Sequence, residues 1–203
     1  MAKIRYTKNE LKLQKEALKR FLRYLPTLEL KKTQLVNEIR SITHQRTEVQ
    51  REIDRFLNEL DEWVAVFGEE IDLSEFISLK EIVTRPGNIA GIEIEVYEEV
   101  LFEERTVDYF LTPIWVDAGI EACRHHIKQK AHKKILERQL EVLREELRIT
   151  TQRINLFEKV KIPEARENIR VINIYLGDMR TTEVVRGKIS KAKIERKRGE
   201  AAA

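Results

Sequence analysis

The side chains best suited to do chemistry are a cysteine and three histidines that lie close together in the sequence. Cys123, His125 and His126 are near neighbours, and His132 follows about two helical turns later. Thiolates and imidazoles are ligands that Zn²⁺ prefers, but only His125 and His132 fall on one helical face, and no second ligand pair stands at zinc-like spacing. We therefore expect no metal ion here and interpret the histidines as surface residues.

Other catalytic signatures are missing from the sequence. Neither of the glycine-rich phosphate-binding patterns GxxxxGK[ST] and GxGxxG occurs. No serine, histidine and aspartate can be argued to form a nucleophilic constellation. We expect a chain without catalytic residues, cofactor or metal ion, which does not hydrolyse a substrate by itself.

A basic run near the C-terminus is the best candidate for a binding function. Between Arg186 and Arg198, seven basic residues stand against one acidic residue. Such a run is compatible with nucleic-acid binding. It lacks interleaved aromatic residues, however, and the rest of the chain is balanced, with a net charge of only +3. A solvated basic end that sits in an acidic protein socket is an equally good interpretation.

Composition favours long helices as the elements that position these residues. Of 203 residues, 36% are charged and 42% hydrophobic, with only 7 Gly and 4 Pro. High charge with few turn formers argues against a compact α/β enzyme. A single cysteine suits a reducing compartment. No apolar run approaches the ~20 residues of a membrane span. We expect a cytoplasmic protein that reaches a membrane only through a partner.

An apolar repeat in steps of three and four runs from Leu18 to Phe67, broken only by Lys32 and Arg46. A period of about 3.5 is the seam of a left-handed coiled coil and predicts one helix of roughly 75 Å that needs a partner helix. The side chains of Lys32 and Arg46 either extend their charged groups to water or, as polar residues in the seam, select one alignment of the two helices. The core seam residues are predicted to be Leu28, Leu35, Ile39, Ile42, Val49 and Ile53.

The same repeat returns in the second half of the chain and predicts the partner helix over residues 117–198. Pro26 and Pro163 are expected to bend the two helices rather than end them. Because the helices come from opposite ends of the chain, they are predicted to pair antiparallel. The second seam is predicted to contain Leu136, Leu140, Leu143, Leu147, Ile154 and Phe157.

The middle of the chain has a different pattern. The sequence from Arg85 to Asn88 predicts a turn, and the alternation after it predicts strands. We expect a short helix over 72–80 and a β-hairpin of two or three strands between about 82 and 112. The predicted fold is mainly α, a long antiparallel two-helix coiled coil with this hairpin in a small central segment. Its regions are an N-terminal helix (1–67), a cap segment (68–116), a C-terminal helix with the basic tail (117–198) and a frayed terminus (199–203).

Three parts of the sequence resemble the D subunit of V-type and archaeal-type ATP synthases. The run from Thr151 to Glu158 (TQRINLFE), followed by Pro163 and a resumed heptad, is similar to that family's C-terminal motif, although Gln152 stands where a second arginine is usual. Thr7-Lys8 is similar to its opening Pro-Thr-Lys, with Tyr6 in place of the proline. The run NIAGI that ends at Ile92 looks like its central strand start. The resemblance covers essentially the whole chain.

The resemblance implies a non-catalytic central rotor shaft that couples ATP synthesis or hydrolysis to proton or sodium transport. It implies that the paired chain ends enter the catalytic hexamer of A and B subunits. The opposite end would bind an F subunit and, through a C-type (d-like) socket subunit, the membrane ring. Such a shaft is cytoplasmic, peripheral to the membrane, and does not bind nucleic acid. The candidate hexamer contacts are then Thr7, Lys8, Arg180, Arg186, Lys188 and Lys191.

The alternative, from the residues alone, belongs to another class of protein. An antiparallel coiled-coil scaffold would bind nucleic acid or a protein partner through the basic C-terminal tail. A shaft and a scaffold differ in their partners, because only a shaft should bind the A and B subunits.

Overall fold

The computed structural model describes residues 5–61, 73, 76–103, 113 and 115–200, with side chains described as far as residue 197. The described chain is mainly helical and contains one antiparallel β-hairpin, which confirms the predicted fold class. The predicted end of the N-terminal helix at residue 67 and the last part of the predicted hairpin region, residues 104–112, lie outside the described residues. In chain order the elements are α1 (Lys8–Asp61), β1 (Leu79–Ile89), β2 (Ile92–Phe102), α2 (Trp115–Leu156), a π-helical turn (Phe157–Lys161) and α3 (Ile162–Glu200).

The helix boundaries follow from local signals in the sequence. Thr7 caps α1, because the backbone N–H of Glu10 donates to its Oγ1 at 3.2 Å. Pro26 lies inside α1 without ending it, as predicted. The second long helix begins at Trp115, two residues before the predicted start. α3 includes residues 199 and 200 of the predicted frayed terminus, and residues 201–203 lie outside the described part.

The chain divides into two compact units. The terminal unit combines Met1–Leu30 with Thr151–Ala203, and the central unit is Lys31–Thr150. Both chain ends therefore belong to one unit, while the hairpin belongs to the other. The predicted division at residues 67, 116 and 198 follows the order of elements along the chain and stays a prediction.

The core of the central unit is the predicted seam between α1 and α2. The seam forms one cluster of buried side chains, and half-buried Ile39 and Leu147 pack against it. The two helices run antiparallel, because Lys31 pairs with Glu146 whereas Phe56, near the other end of α1, contacts His125. Burial of this apolar face stabilises both helices, since neither has another way to shield it from water. The buried residues of the cluster are Leu35, Ile42, Val49, Ile53, Leu136, Leu140 and Leu143.

The hairpin turns later than predicted. Its two-residue loop is Ala90-Gly91, both with positive φ (51° and 80°), and the N–H of Gly91 donates to Asn88 Oδ1 at 3.0 Å. Positive φ at both loop positions matches the twist of the flanking strands. The turn predicted over residues 85–88 is wrong, because these residues belong to β1 and pair with residues 93–96 of β2.

Pro86 and Gly87 are residue types common in turns, but here both lie in a strand for other physical reasons. A two-stranded sheet has an edge on both sides, so a proline that cannot donate a ladder hydrogen bond is tolerated. A Cβ on Gly87 would lie 2.7 Å from Val96 Cγ2, so the Val96 side chain occupies the space that a larger residue would need. The end of the predicted short helix over 72–80 is also wrong, since residues 79 and 80 begin β1. Residues 72, 74 and 75 of that prediction lie outside the described part.

The hairpin packs along α2. Ala90 of its loop and the flanking strand ends Ile89 and Ile92 pack against the seam cluster. The buried amide of Gln139 donates from Nε2 to the Glu95 carbonyl at 2.5 Å, which satisfies a polar group that would otherwise be costly to bury. The hairpin thus adds a third layer to the two-helix core of the central unit.

The π turn absorbs one extra residue in the seam. Buried and half-buried positions follow steps of three and four up to Phe157, but the next buried residue, Ile162, comes five residues later. The N–H of Ile162 donates to the Phe157 carbonyl, an i→i−5 bond that keeps Ile162 and the following Ala165 and Ile172 on the buried face. Pro163 follows directly and has no N–H for the Lys159 carbonyl, so the wider turn forms where a regular helix would lose a hydrogen bond.

Candidate interaction surface

The terminal unit is held together by a narrow contact between α1 and α3. Phe21 contacts Phe157 with ring centroids 5.1 Å apart, and Tyr6 contacts Tyr175 at 5.0 Å. These two pairs show that residues 6–21 run antiparallel to residues 157–175. The buried residues are Ile154, Ile162, Ala165 and Ile172, all from the second half of the chain.

Beyond Leu176, α3 is exposed on every side. All side chains from Gly177 to Lys197, here named the α3 end, are exposed. Tyr6 reaches only the level of Tyr175, so the α3 end extends past the described start of α1. At about 1.5 Å per residue it is roughly 30 Å long. A helix with no buried face gains no stability from packing within its own chain, so the α3 end is the candidate interaction surface.

The α3 end is basic and carries isolated apolar side chains. Between Arg186 and Lys197, six basic residues stand against the single acidic Glu195. Nothing lies within 4 Å of a Cβ built on Gly177 or Gly187 in the described part, so another chain can approach the backbone there. Its large exposed apolar residues are Met179, Val184, Val185, Ile189 and Ile194.

The candidate hexamer contacts all lie in the terminal unit and all are exposed. Thr7 and Lys8 stand at the start of α1, near the level of Tyr175, and Arg180 follows within two turns along α3. Arg186, Lys188 and Lys191 lie further along the α3 end, roughly 17–24 Å past Tyr175. The fold therefore brings these residues to one region of the molecule but spreads them along a helix. Their role as contacts stays a prediction.

The two polar interruptions of the seam differ from each other. Lys32 is exposed, and its neighbour Lys31 is the residue that reaches across, with its Nζ 2.7 Å from Glu146 Oε1. Arg46 is half-buried and its Nε has no hydrogen-bond partner among the described residues. Among the predicted seam residues, Leu28, Ile39, Leu147 and Phe157 are half-buried rather than buried.

Comparison with known proteins assigns the chain to a family. The family model for the ATP synthase D subunit matches residues 10–192. The V-type ATP synthase D subunit of Borreliella burgdorferi is 45% identical over 97% of this chain and 98% of that protein. The V-type ATP synthase D subunit of Chlamydia pneumoniae is 30% identical over 95% of this chain and 93% of that protein. This chain belongs to the ATP synthase D subunit family. It is therefore a subunit of a V-type ATP synthase, a complex of ATP synthesis and ion transport.

Three histidines of this ATP synthase subunit, His125, His126 and His132, pack against aromatic rings in the central unit. His126 and His132 are half-buried, so the expectation of surface histidines is wrong for these two. His125 and His126 lie against the Phe56 ring, and His132 stacks on Tyr97 with centroids 4.8 Å apart. Burial lowers the pKa of His126, helped by nearby Lys130 and His125.

Burial also lowers the pKa of His132, which Glu52 partly opposes, and it raises the pKa of the Cys123 thiol. These directions favour neutral imidazoles and a protonated thiol, which suit packing rather than nucleophilic chemistry. Among the described residues, no group of three His, Cys, Asp or Glu side chains could hold a metal ion. In that same part of the chain, no helix is long and apolar enough to cross a membrane.

Two features of the chain were not predicted from its sequence. Gln139 lies between Leu136 and Leu140 but faces the hairpin, and a polar residue inside an apolar run was the available signal. The Tyr6–Tyr175 contact joins residues from opposite chain ends, and nothing in a local pattern indicates such a pair.

Proposed function

We propose that this chain is the central rotor shaft of its V-type ATP synthase. It is a non-catalytic subunit that couples ATP synthesis or hydrolysis in the A/B hexamer to proton or sodium transport through the membrane ring. The observation that carries the proposal is the α3 end. Both chain ends form one unit, and that unit continues as a single helix exposed on every side.

A single helix is a suitable element to enter a narrow central hole. It is about 10–12 Å across with its side chains, and its surface is continuous along its length. Since a lone helix has different side chains on each side, it contacts each of the three equivalent A/B subunit pairs of the hexamer differently. Each pair is then biased toward a different conformation, and rotation of the shaft passes these biases from one pair to the next.

The central unit supplies the other contacts in this proposal. Its hairpin and the adjoining surface of α2 give a broader, layered face than the terminal unit offers, and we assign it to the F subunit and the C-type socket subunit. The shaft is then cytoplasmic and peripheral to the membrane, which it reaches through the socket subunit.

The test is truncation of the α3 end after Val184. The full chain, mixed with its purified A and B subunits, should bind at one copy per hexamer. The truncated chain should still bind F but should couple hydrolysis to rotation less tightly. Pull-down and single-molecule rotation measure these two results. The variant Val184→Ala in the full-length chain is the matched control and should rotate normally.

Two outcomes would contradict the shaft. One is failure of the full chain to bind the hexamer at low salt. The other is tail-dependent binding to DNA or RNA that falls steeply with salt, which is the behaviour of a nucleic-acid scaffold. The basic residues of the α3 end make this second measurement necessary.

A further inference from the structure

A row of lysines follows one face of α1 in the terminal unit. Lys8, Lys12, Lys15 and Lys19 recur at spacings of four, three and four residues, and Arg23 continues the row. Residues at these spacings are neighbours on a helix surface. All five are exposed. We name them the lysine stripe. Only Lys8 was among the contacts predicted from the sequence.

The lysine stripe lacks internal compensation. Among described residues, its single ion pair joins Lys12 Nζ to Glu16 Oε1 at 4.0 Å, with both side chains more than half exposed. Like charges at spacings of three and four repel and destabilise a helix, and a cation in the first turn opposes the helix dipole. The stripe therefore makes α1 less stable on its own, and an external partner of opposite charge would remove the repulsion.

The stripe also faces away from α3. On the other side of α1, Gln14 accepts a bond from Asn168 of α3, and Phe21 contacts Phe157 of the π turn. At about 100° per residue, the stripe lies roughly 140° around the helix from that contact face. A partner can therefore bind the stripe without displacing α3.

Two exposed leucines extend the same face. Leu22 is 45% exposed and Leu30 is 66% exposed, and both lie close to the helical angle of the stripe. A phosphate backbone offers charge but no apolar counterpart for these leucines, whereas a protein surface offers both. A lipid surface would require an apolar face along the helix, and here the first three turns carry lysines.

We propose that the lysine stripe binds acidic side chains of the A/B hexamer, with Leu22 and Leu30 seated on an apolar patch beside them. This inference rests on the proposed shaft function and adds a second contact surface to the α3 end. Ion pairs at such a surface are individually weak and exchange rapidly, so the contact can be made with one catalytic pair and broken as the shaft turns.

The test is the triple variant Lys12→Gln, Lys15→Gln and Lys19→Gln in the full-length chain. Glutamine keeps the helix propensity and removes three charges. Binding to the purified A/B hexamer should weaken about tenfold at ~20 mM salt and should change less with added salt, because three ion pairs are lost together. The charge-preserving variant with three arginines should bind within about twofold of wild type.

The matched control is Arg40→Gln, Arg51→Gln and Arg55→Gln, which removes three exposed charges from the same helix within the central unit. It should bind the hexamer within about twofold of wild type. Equal losses in the two glutamine variants would overturn the stripe and leave the shaft standing. Stripe-dependent binding to DNA or to phosphatidylglycerol vesicles, without a change in hexamer binding, would overturn it too. No hexamer binding by the wild-type chain would overturn both proposals.

Discussion

The two units of the chain use the same helices in different ways. In the central unit, α1 and α2 bury one leucine- and isoleucine-rich cluster, and the hairpin covers its side. In the terminal unit, α1 meets α3 through a narrower contact, and most of α3 past Leu176 has no buried face. Side chains are buried completely in both units, Leu143 in the central unit and Ile172 in the terminal unit, but more of them are buried where the third layer is present. A helix pair alone leaves much of its surface for partners.

The difference in charge follows the difference in packing. The terminal unit carries the lysine stripe and the basic residues of the α3 end, and few of these charges are paired. In the central unit, Lys31 pairs with Glu146 and Arg138 with Glu95. Self-repulsion is tolerable in the unit that is proposed to enter a partner, since the partner supplies the opposite charge.

The largest contrast between the units should appear on truncation of buried and exposed leucines. Leu143 is completely buried in the central unit, and Leu143→Ala should lower the free energy of unfolding by about 2–5 kcal/mol. The matched control is Leu22→Ala in the terminal unit, where the change should stay within about 0.5 kcal/mol. Urea denaturation measures both. Equal losses would mean that the two units do not differ in packing as described.

The hairpin contributes the next effect. Gln139→Ala removes the bond to the Glu95 carbonyl and leaves that acceptor unsatisfied, at a cost of about 1–3 kcal/mol. Arg138→Gln is the control at the neighbouring position, because Arg138 only makes an exposed pair with Glu95 at 3.6 Å and should contribute less than about 1 kcal/mol. Thermal melts compare the two. A larger loss for Arg138→Gln would contradict the third layer.

Two glycine substitutions should act in opposite directions. Gly87→Ala forces a Cβ to within 2.7 Å of Val96 Cγ2 and should destabilise the hairpin. Gly177→Ala places a methyl group in open space on α3 and should stabilise the helix by about 1 kcal/mol. Hydrogen exchange of the hairpin and of α3 separates the effects. Stabilisation by both variants would show that the Val96 side chain leaves room for a Cβ at position 87.

The fold was predictable where a long-range pattern has one physical cause. Steps of three and four identified Leu35, Ile42 and Leu143 because only a helix seam produces that spacing over many turns. The turn predicted at Pro86 and Gly87 was wrong because the same residue types occur in turns, in edge strands and where a neighbouring side chain leaves no room for a Cβ.

The candidate site was less predictable, since it depends on which charges remain unpaired. Lys31 and Lys32 are adjacent in sequence, and only three-dimensional packing determines that Lys31 reaches Glu146. In the sequence alone, the lysine stripe has the same pattern as an ordinary solvated helix face. Its significance depends on where α3 lies around α1, which a single sequence does not state.

The smallest effect is expected from removing the extra residue of the π turn, and it tests why that turn exists. Val160 is 48% exposed, and its deletion would place Ile162 four residues after Phe157, so the seam would continue in steps of three and four. The deletion is combined with Pro163→Ala, because a proline in a regular helix interior costs ~3 kcal/mol by itself. The melting midpoint of this variant should equal or exceed that of the wild-type chain.

Deletion of the exposed Glu141 is the control within the regular seam. It would rotate Leu143 or Leu140 off the buried face and should cost several times the ~1 kcal/mol of a typical substitution. Similar losses in the two deletions would mean that the π turn does not arise from the extra residue.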